Sequence, residues 1–327
     1  MLSFIDLFCG GGFGARGAVS DGAQPLLGID AWELATKTYK ANFPSAQVIT
    51  NRIESIDPYA LSKTYKPDVL LTSPECTSHS IARGAKPGSE KSRETAIGIL
   101  PWTDALKPRW VIVENVARMK QWHRHNELVG SLESSGYRVS DLYLNAADFG
   151  TPQSRKRMFL VCDLYGTKVT TDELIKMHKR TNKTASSIIN WNGKYKSSPL
   201  YKEGRAKATI ERAERAMDAL GKNKPFLIVY YGSDYAGGWQ SLDAPLRTIT
   251  TLDRFGLVTW EKGEPYLRML QPDELSAAMG AGSKHELPFG TRREKVHLCG
   301  NGVCSPVMEL IFRHMRKTEE KEAKIAS

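Results

Sequence analysis

Three segments of the sequence carry side chains that could do covalent and acid–base chemistry. Cys76 follows one apolar run, Glu114 ends another, and Arg155 and Arg157 precede a third. A thiolate can act as a nucleophile, and a glutamate in a buried strand is costly unless it is paired, protonated or hydrogen-bonded. Two arginines spaced by two on an extended segment point to one face. Each feature alone also has an ordinary structural interpretation, as a small buried thiol or a pair of surface arginines.

A glycine-rich turn follows the first apolar run, which spans residues 3–8. Gly12, Gly14 and Gly17 satisfy the spacing G-x-G-x-x-G, and Asp30 ends the next apolar run. A glycine backbone lets a ligand approach closely, and a carboxylate at the tip of the second strand can hold ribose hydroxyls. The turn therefore indicates a nucleoside cofactor, either a nicotinamide dinucleotide or S-adenosylmethionine. A tight turn with a purely structural role is the alternative.

The elements that must position these residues alternate in the first half of the chain as in a doubly wound, mostly parallel sheet. We therefore predict a Rossmann-like α/β fold, with a second, smaller domain because 327 residues exceed the size of a single core. Ligands bind beyond the carboxyl ends of such strands, where Cys76 and Glu114 lie. Strands are predicted at 3–8, within 21–30, and at 69–71, 110–113 and 158–161; helices are predicted at 31–42, 208–220 and 306–315.

Positive charge is concentrated in one region of the chain. The sequence has 46 Lys and Arg against 36 Asp and Glu, a net charge of +10. Residues 176–215 hold eleven basic and three acidic residues, together with Trp191, Tyr195 and Tyr201. This mixture is typical of a surface that binds phosphates and stacks on bases, and a solvated lysine-rich face is the alternative.

Composition also excludes several classes of protein. No apolar stretch approaches the roughly 20 residues of a membrane span, and Asp6 interrupts the only apolar run that could begin a secretory signal. Five widely spread cysteines argue against a disulfide framework. His297, Cys299 and Cys304 lack the spacing of a zinc site, so we expect no metal. A cytoplasmic protein is expected.

Taken together, the motifs resemble those of the cytosine-5 DNA methyltransferases. Six segments occur in the order of that family and span nearly the whole chain. They are SFIDLFCGGGFG at 3–14, PEC at 74–76, ENV at 114–116, QSRKR at 153–157, PLRTIT at 245–250 and GNGV at 300–303. The resemblance implies a catalytic domain made of residues 1–162 and 292–327, which binds S-adenosylmethionine, and a target recognition domain at 163–291.

The resemblance also implies a mechanism. Carbon 5 of cytosine becomes nucleophilic only after a thiolate adds to carbon 6, so Cys76 is the expected nucleophile. Glu114 is expected to hydrogen-bond or protonate ring nitrogen 3, which requires a pKa raised by burial. Arg155 is expected to orient the base, with Arg157 supporting it. Because the ring is inaccessible within a duplex, the cytosine must flip out of double-stranded DNA.

Binding residues follow from the same resemblance. The cofactor, and its product S-adenosylhomocysteine, are expected against residues from the glycine turn, the second strand and the last motif: Phe8, Cys9, Gly10, Gly11, Gly12, Asp30, Ile53 and Asn301. DNA is expected to contact residues of the loop after Cys76, the arginine motif and the basic region: Arg83, Lys86, Gln153, Lys194, Lys196 and Arg205.

This sequence departs from the family pattern at three positions. Glu75 stands where the family usually has proline directly before the cysteine, and could raise the thiol pKa or contact the cofactor or base. Asp30 replaces the usual glutamate. Arg52 stands where family members often place an acid near the adenine, so only Ile53 is carried over from that motif.

We expect a monomeric modification enzyme of bacterial or phage type, associated with the nucleoid and acting beside a separate restriction endonuclease where one exists. Two alternatives stay open. A related branch of the family methylates cytosine in transfer RNA, although the size of the basic region favours DNA. The other alternative is a relative that binds DNA but has lost catalytic activity through the change at Glu75.

Overall fold

The computed structural model describes residues 1–75, 95–178, 181–231 and 237–326. Cys76, Arg83 and Lys86, predicted above to act in catalysis and DNA binding, lie outside the described residues. Within these ranges the helices are α1 Phe13–Ser20, α2 Glu33–Asn42, α3 Pro58–Leu61, α4 Leu100–Leu106, α5 His125–Ser134, α6 Thr171–Met177, α7 Lys207–Leu220, α8 Pro272–Ala278, α9 Arg292–Asn301 and α10 Ser305–Ala326. The strands are β1 Ser3–Leu7, β2 Gln24–Asp30, β3 Gln47–Thr50, β4 Val69–Thr72, β5 Trp110–Val116, β6 Arg138–Asn145, β7 Lys156–Asp163, β8 Ser198–Pro199, β9 Phe226–Val229, β10 Trp239–Ser241, β11 Phe255–Glu261 and β12 Glu264–Met269.

The first seven strands of the described chain form one sheet in the order β3-β2-β1-β4-β5-β7-β6. Strands β1 to β5 pair in parallel, whereas β7 runs antiparallel to both of its neighbours. The carboxyl ends of the parallel strands therefore meet at one edge, as they do in other doubly wound sheets. This architecture confirms the predicted fold class, a Rossmann-like and mostly parallel α/β sheet.

Alternating side chains on the central strands fill a core on each face of this sheet. Phe4 of β1 packs on the side of α1 and α10, while the next residue, Ile5, packs on the side of α4 and α5. Successive residues of a strand point to opposite faces, so strands that are apolar on both faces must be covered on both. Burial of both faces explains why the central strands are uninterrupted apolar runs in the sequence.

A second sheet lies in the part of the sequence that shows no regular alternation. Its five strands run in the order β10-β9-β11-β12-β8, and all its described pairings are antiparallel. One face joins the core of the first sheet through Leu227 and Leu257, and α7 covers the other face with Ala213 and Ala216. The strands escaped prediction because they are short and several are buried on both faces, which removes the period of two. The domain boundaries at 162/163 and 291/292 stay a prediction.

Two helices differ from their predictions. α2 begins at Glu33, two residues later than predicted, and its buried residues include Ala35, Thr38 and Tyr39. The last helix continues to Ala326 rather than ending near residue 315. Its polar final turns carry ion pairs that the apolar pattern could not reveal, such as Glu322 with Arg109 at 2.8 Å.

No helix in the described ranges is long and apolar enough to cross a bilayer. Within those same ranges, no three or more His, Cys, Asp or Glu side chains gather in a way that could hold a metal ion.

Gly17 allows α1 to approach α10 closely. A Cβ built on Gly17 would lie 2.1 Å from the Ser305 carbonyl oxygen, which is backbone and cannot move aside. We expect Gly17→Ala to lower the free energy of unfolding by about 1–3 kcal/mol, as measured by urea denaturation. Gly130 of α5 is the matched control, because a Cβ there meets no atom within 4 Å. Gly130→Ala should stabilise by about 0.5–1 kcal/mol, and equal stability of both variants would contradict the packing argument.

Candidate active site

A cavity of about 500 Å³ opens at the carboxyl ends of β1, β2, β4 and β5, and residues of α9 close one side. Seven of the eight residues predicted to bind the cofactor line it. They are Phe8, Cys9, Gly10, Gly11, Asp30, Ile53 and Asn301. Residues separated by almost 300 positions thus meet in one cavity because α9 returns to the first sheet.

The glycine turn contributes backbone to the cavity wall. Gly10 adopts a φ of +51°, and a Cβ built there would meet no protein atom within 4 Å. Gly12 differs, because its Cβ would lie 2.5 Å from the Phe43 ring, and it does not line the cavity. Gly12 instead begins α1 with a φ of +82°. The prediction that Gly12 contacts the cofactor is therefore corrected: this glycine is needed for the turn and for packing.

Asp30 ends β2 with its carboxylate held on both sides by backbone. Oδ2 accepts a hydrogen bond from the Gly10 amide at 2.9 Å, and Oδ1 accepts one from the Trp32 amide at 2.8 Å. Burial raises the pKa of Asp30, and these two amides oppose the increase. The second strand tip thus presents a fixed acidic group to the cavity, in a position suited to ribose hydroxyls.

Asp6 is an acidic residue of the cavity that sequence reasoning missed. It lies within β1, is 3% exposed and lines the cavity. Burial, followed by the charge of Asp30, raises its pKa well above the ordinary value. The available signal was a carboxylate inside an apolar strand, the same signal that identified Glu114.

The adenine side of the predicted cofactor site contains an ion pair. Arg52, Ile53 and Glu54 all line the cavity, and Arg52 Nε lies 3.5 Å from Glu54 Oε2. An acid is therefore present two residues after the position where the family pattern placed one. Trp32, also missed from sequence, lines the same cavity and packs on His297 at 5.2 Å between ring centroids.

Glu114 forms the polar end of the cavity next to the arginine motif. It lies in β5, is 6% exposed, and its Oε1 is 3.2 Å from Arg157 Nε. Burial raises the pKa of Glu114, while the charges of Arg157 and Arg155 oppose the increase. Antiparallel pairing of β5 with β7 opposes Val116 and Arg157, which brings the two motifs together. A carboxyl group in this setting can donate a hydrogen bond.

Arg155 is bound to the backbone of two other segments of the chain. Its guanidinium is buried and donates to the Ile249 carbonyl at 2.9 Å and to the Gly300 carbonyl at 2.7 Å. It therefore joins two distant segments of the chain, whereas Arg157 contacts Glu114 directly. The roles predicted for the two arginines toward a base stay a prediction.

Gln153 is also buried rather than surface-exposed. Its amide nitrogen donates to the Ala278 carbonyl at 3.2 Å, and its amide oxygen accepts from the Ile249 amide at 2.9 Å. With 0% of the residue exposed, Gln153 is not positioned to contact DNA. The prediction is corrected because its polar groups satisfy buried backbone instead.

The three predicted DNA contacts in the basic region have unequal surroundings. Lys196 is exposed. Lys194 is exposed but lies 3.4 Å from Asp273 Oδ2. Arg205 donates to the Pro199 carbonyl and the Ser198 hydroxyl, both at 2.9 Å, so it fastens β8 to the turn before α7.

This sheet order, with an acid-lined cavity at the strand ends, is typical of α/β proteins that bind a nucleoside cofactor. A model of the C-5 cytosine-specific DNA methylase family matches residues 2–317. The chain belongs to that family, and the family and enzyme class predicted from sequence, DNA (cytosine-5-)-methyltransferase, are confirmed.

Individual relatives agree with this assignment. Type II methyltransferase M.HgiDI of Herpetosiphon aurantiacus is 28% identical over 255 residues, which cover 76% of this chain and 80% of the relative. The human tRNA (cytosine(38)-C(5))-methyltransferase is 28% identical over 171 residues, 50% of this chain and 42% of the relative. The crystal structure of S. pombe Dnmt2 methyltransferase matches with a TM-score of 0.68 at 14% identity, over 97% of this chain and 99% of that one. At 14% identity this structural similarity shows the fold alone.

Proposed function

We propose that this enzyme transfers a methyl group from S-adenosylmethionine to carbon 5 of a flipped-out cytosine in a specific sequence of double-stranded DNA. The observation that carries the proposal is the contact of Glu114 with Arg157, because Glu114 lines the same cavity as Pro74 and Glu75, the residues directly before Cys76. A base held by Glu114 would lie beside the segment that leads into Cys76 and beside the cofactor.

The cavity residues fit a nucleoside cofactor. Asp30 offers a fixed acceptor for hydroxyl groups, and the side-chain-free Gly10 leaves room for close approach. Trp32, Ile53 and Phe8 supply apolar surface for a planar base. When bound, S-adenosylmethionine supplies the methyl group.

Residues of this chain prepare the cytosine for that transfer. The Cys76 thiolate adds to carbon 6, which makes carbon 5 nucleophilic. Protonated Glu114 donates to ring nitrogen 3 and stabilises the charge that develops there, and Arg157 faces the same edge of the base. Loss of the carbon 5 proton and of the Cys76 sulfur then restores the aromatic ring.

Two buried residues support this arrangement. Asn115 Nδ2 donates to the Pro74 carbonyl at 3.1 Å, so the residue after Glu114 holds the segment that leads into Cys76. Arg155 ties the segments at Ile249 and Gly300 together and acts as a positioning residue. Both contacts join motifs that are far apart in sequence.

DNA would be bound by residues 163–291, which we propose as the target recognition domain, and by the loop that carries Arg83 and Lys86. Lysine ammonium groups that release counterions from phosphates make such binding salt-dependent. The extension to a modification role beside a restriction endonuclease, in a monomer associated with the nucleoid, belongs to the same proposal.

Lys196 and Arg205 should respond differently to substitution. Lys196→Ala should weaken DNA binding and reduce the slope of log K against log salt by about 0.9, because one exposed ammonium is lost. Arg205→Ala should instead lower the melting temperature, because its guanidinium fastens β8. Fluorescence anisotropy with a duplex at several salt concentrations, and thermal melts of both variants, test this distinction. An unchanged salt slope for Lys196→Ala would remove that residue from the DNA surface.

The reaction is tested with tritiated S-adenosylmethionine and two substrates, plasmid DNA and transfer RNA. We expect methyl incorporation into the plasmid, and bisulfite sequencing of DNA from cells expressing the protein should then give the methylated sequence. Incorporation into transfer RNA alone would favour the other activity found among the relatives. Failure with both substrates, together with intact DNA binding, would identify a relative without catalysis.

A further inference from the structure

Glu75, the residue that departs from the family pattern, lies in the wall of the proposed cofactor cavity. It follows β4, is exposed, and lines the same cavity as Asp30 and Glu114. No salt bridge joins Glu75 to a cation among the residues that the structure describes. Glu75 is thus an exposed carboxylate of the cavity wall with no cation paired to it among the described residues.

Three of the four other acids that line the cavity are already compensated. Glu54 is paired with Arg52 at 3.5 Å, and Glu114 is paired with Arg157 at 3.2 Å. Asp30 is held by two backbone amides. The fourth, Asp6, is buried, which raises its pKa and favours its neutral form. Glu75 is therefore the exposed acid of the cavity that lacks a compensating group among the described residues.

The negative charge of Glu75 acts on Asp30 in the same cavity. Burial is the main cause of the raised pKa of Asp30, and the negative charge of Glu75 adds to that increase. Any charged group bound between these two carboxylates would experience the same field.

The cofactor and its product differ mainly in charge. S-adenosylmethionine carries a sulfonium, whereas S-adenosylhomocysteine carries a neutral thioether on an otherwise identical adenosine and amino acid. An uncompensated carboxylate in the cavity therefore distinguishes the two forms by one positive charge.

We propose that Glu75 makes this cavity charge-selective, so that it binds cationic S-adenosylmethionine in preference to the neutral product S-adenosylhomocysteine. The proposal rests on the proposed function, since it assumes this cofactor. Its consequence is that fresh cofactor displaces the bound product more readily than it would in a cavity with an uncharged residue at this position.

The test is titration calorimetry of the full-length protein with each compound separately. Glu75→Gln should raise the Kd for S-adenosylmethionine by about 3- to 10-fold, because the carboxylate is exposed and partly screened. The Kd for S-adenosylhomocysteine should stay unchanged, which also shows that the variant is folded. Glu75→Asp should retain most of the preference. Glu33→Gln, which removes an exposed carboxylate on α2, is the matched control and should change neither value.

Higher salt should reduce the preference of the wild-type protein and leave the Glu75→Gln variant unaffected. If Glu75→Gln weakens both compounds equally, or neither, Glu75 does not select by charge and the inference is overturned while the proposed function stands. If the wild-type protein binds neither compound, both the inference and the cofactor of the proposed function fail.

Discussion

Replacing Cys76 with alanine is expected to lower methyl transfer to DNA by about 10⁴-fold or more, because it removes the thiol proposed to add to carbon 6 of cytosine. Cys76→Ser should be nearly as inactive, since a hydroxyl is far less ionised than a thiol. The measurement is incorporation of tritiated methyl groups into plasmid DNA. A duplex with 5-fluorocytosine at the target should form a covalent adduct with the wild-type protein and none with either variant.

Two controls separate loss of chemistry from loss of structure. Both Cys76 variants should bind S-adenosylmethionine and DNA with affinities close to those of the wild-type protein, since the cofactor contacts proposed above come from other residues. Methyl transfer at the wild-type rate by Cys76→Ala would refute the covalent mechanism.

Replacing Glu114 with glutamine should lower the single-turnover rate by about 10²–10⁴-fold, the range for loss of a general acid. An amide can donate a hydrogen bond to ring nitrogen 3 but cannot transfer a proton. The buried carboxyl should do both, because burial raises its pKa.

The pH dependence of the same step supplies an independent test. The protonated fraction of Glu114 falls as pH rises through its raised pKa, so the wild-type rate should decline on the alkaline side. Glutamine does not titrate, so the Glu114→Gln variant should lack this decline. Glu127→Gln on α5, which removes an exposed carboxylate, should keep the wild-type profile. An alkaline decline that persists in Glu114→Gln would assign it to another group.

Much of the site could be predicted because the motifs stand where buried apolar runs end. A parallel sheet carries the ends of such runs to one edge, and Asp30 and Glu114 line the cavity there. Asn301 could be assigned only through the resemblance, since nothing local in its sequence indicates that α9 returns to the cavity.

The contacts that distinguish Arg155 from Arg157 could not be predicted from the sequence. Residues 155 and 157 have the same type and point to one face of an extended segment, so spacing alone cannot rank them. The structure separates them, because Arg155 meets the carbonyls of Ile249 and Gly300 while Arg157 meets Glu114. Glycines in a single motif separate in the same way: Gly10 faces the cavity, and Gly17 faces the backbone of α10.

The sequence by itself determined the family and the parallel sheet, and it predicted the chemically active residues, because these depend on residue type and on periodicity along the chain. Only the tertiary structure decided which acids are compensated and which arginine contacts Glu114. Those properties depend on distances between groups that belong to different segments of the chain, and burial and pairing among these groups set the pKa of each. Glu75 is the example with the largest consequence: in the sequence it is a departure from a motif, and in the folded cavity it is a carboxylate that no cation of the described residues compensates.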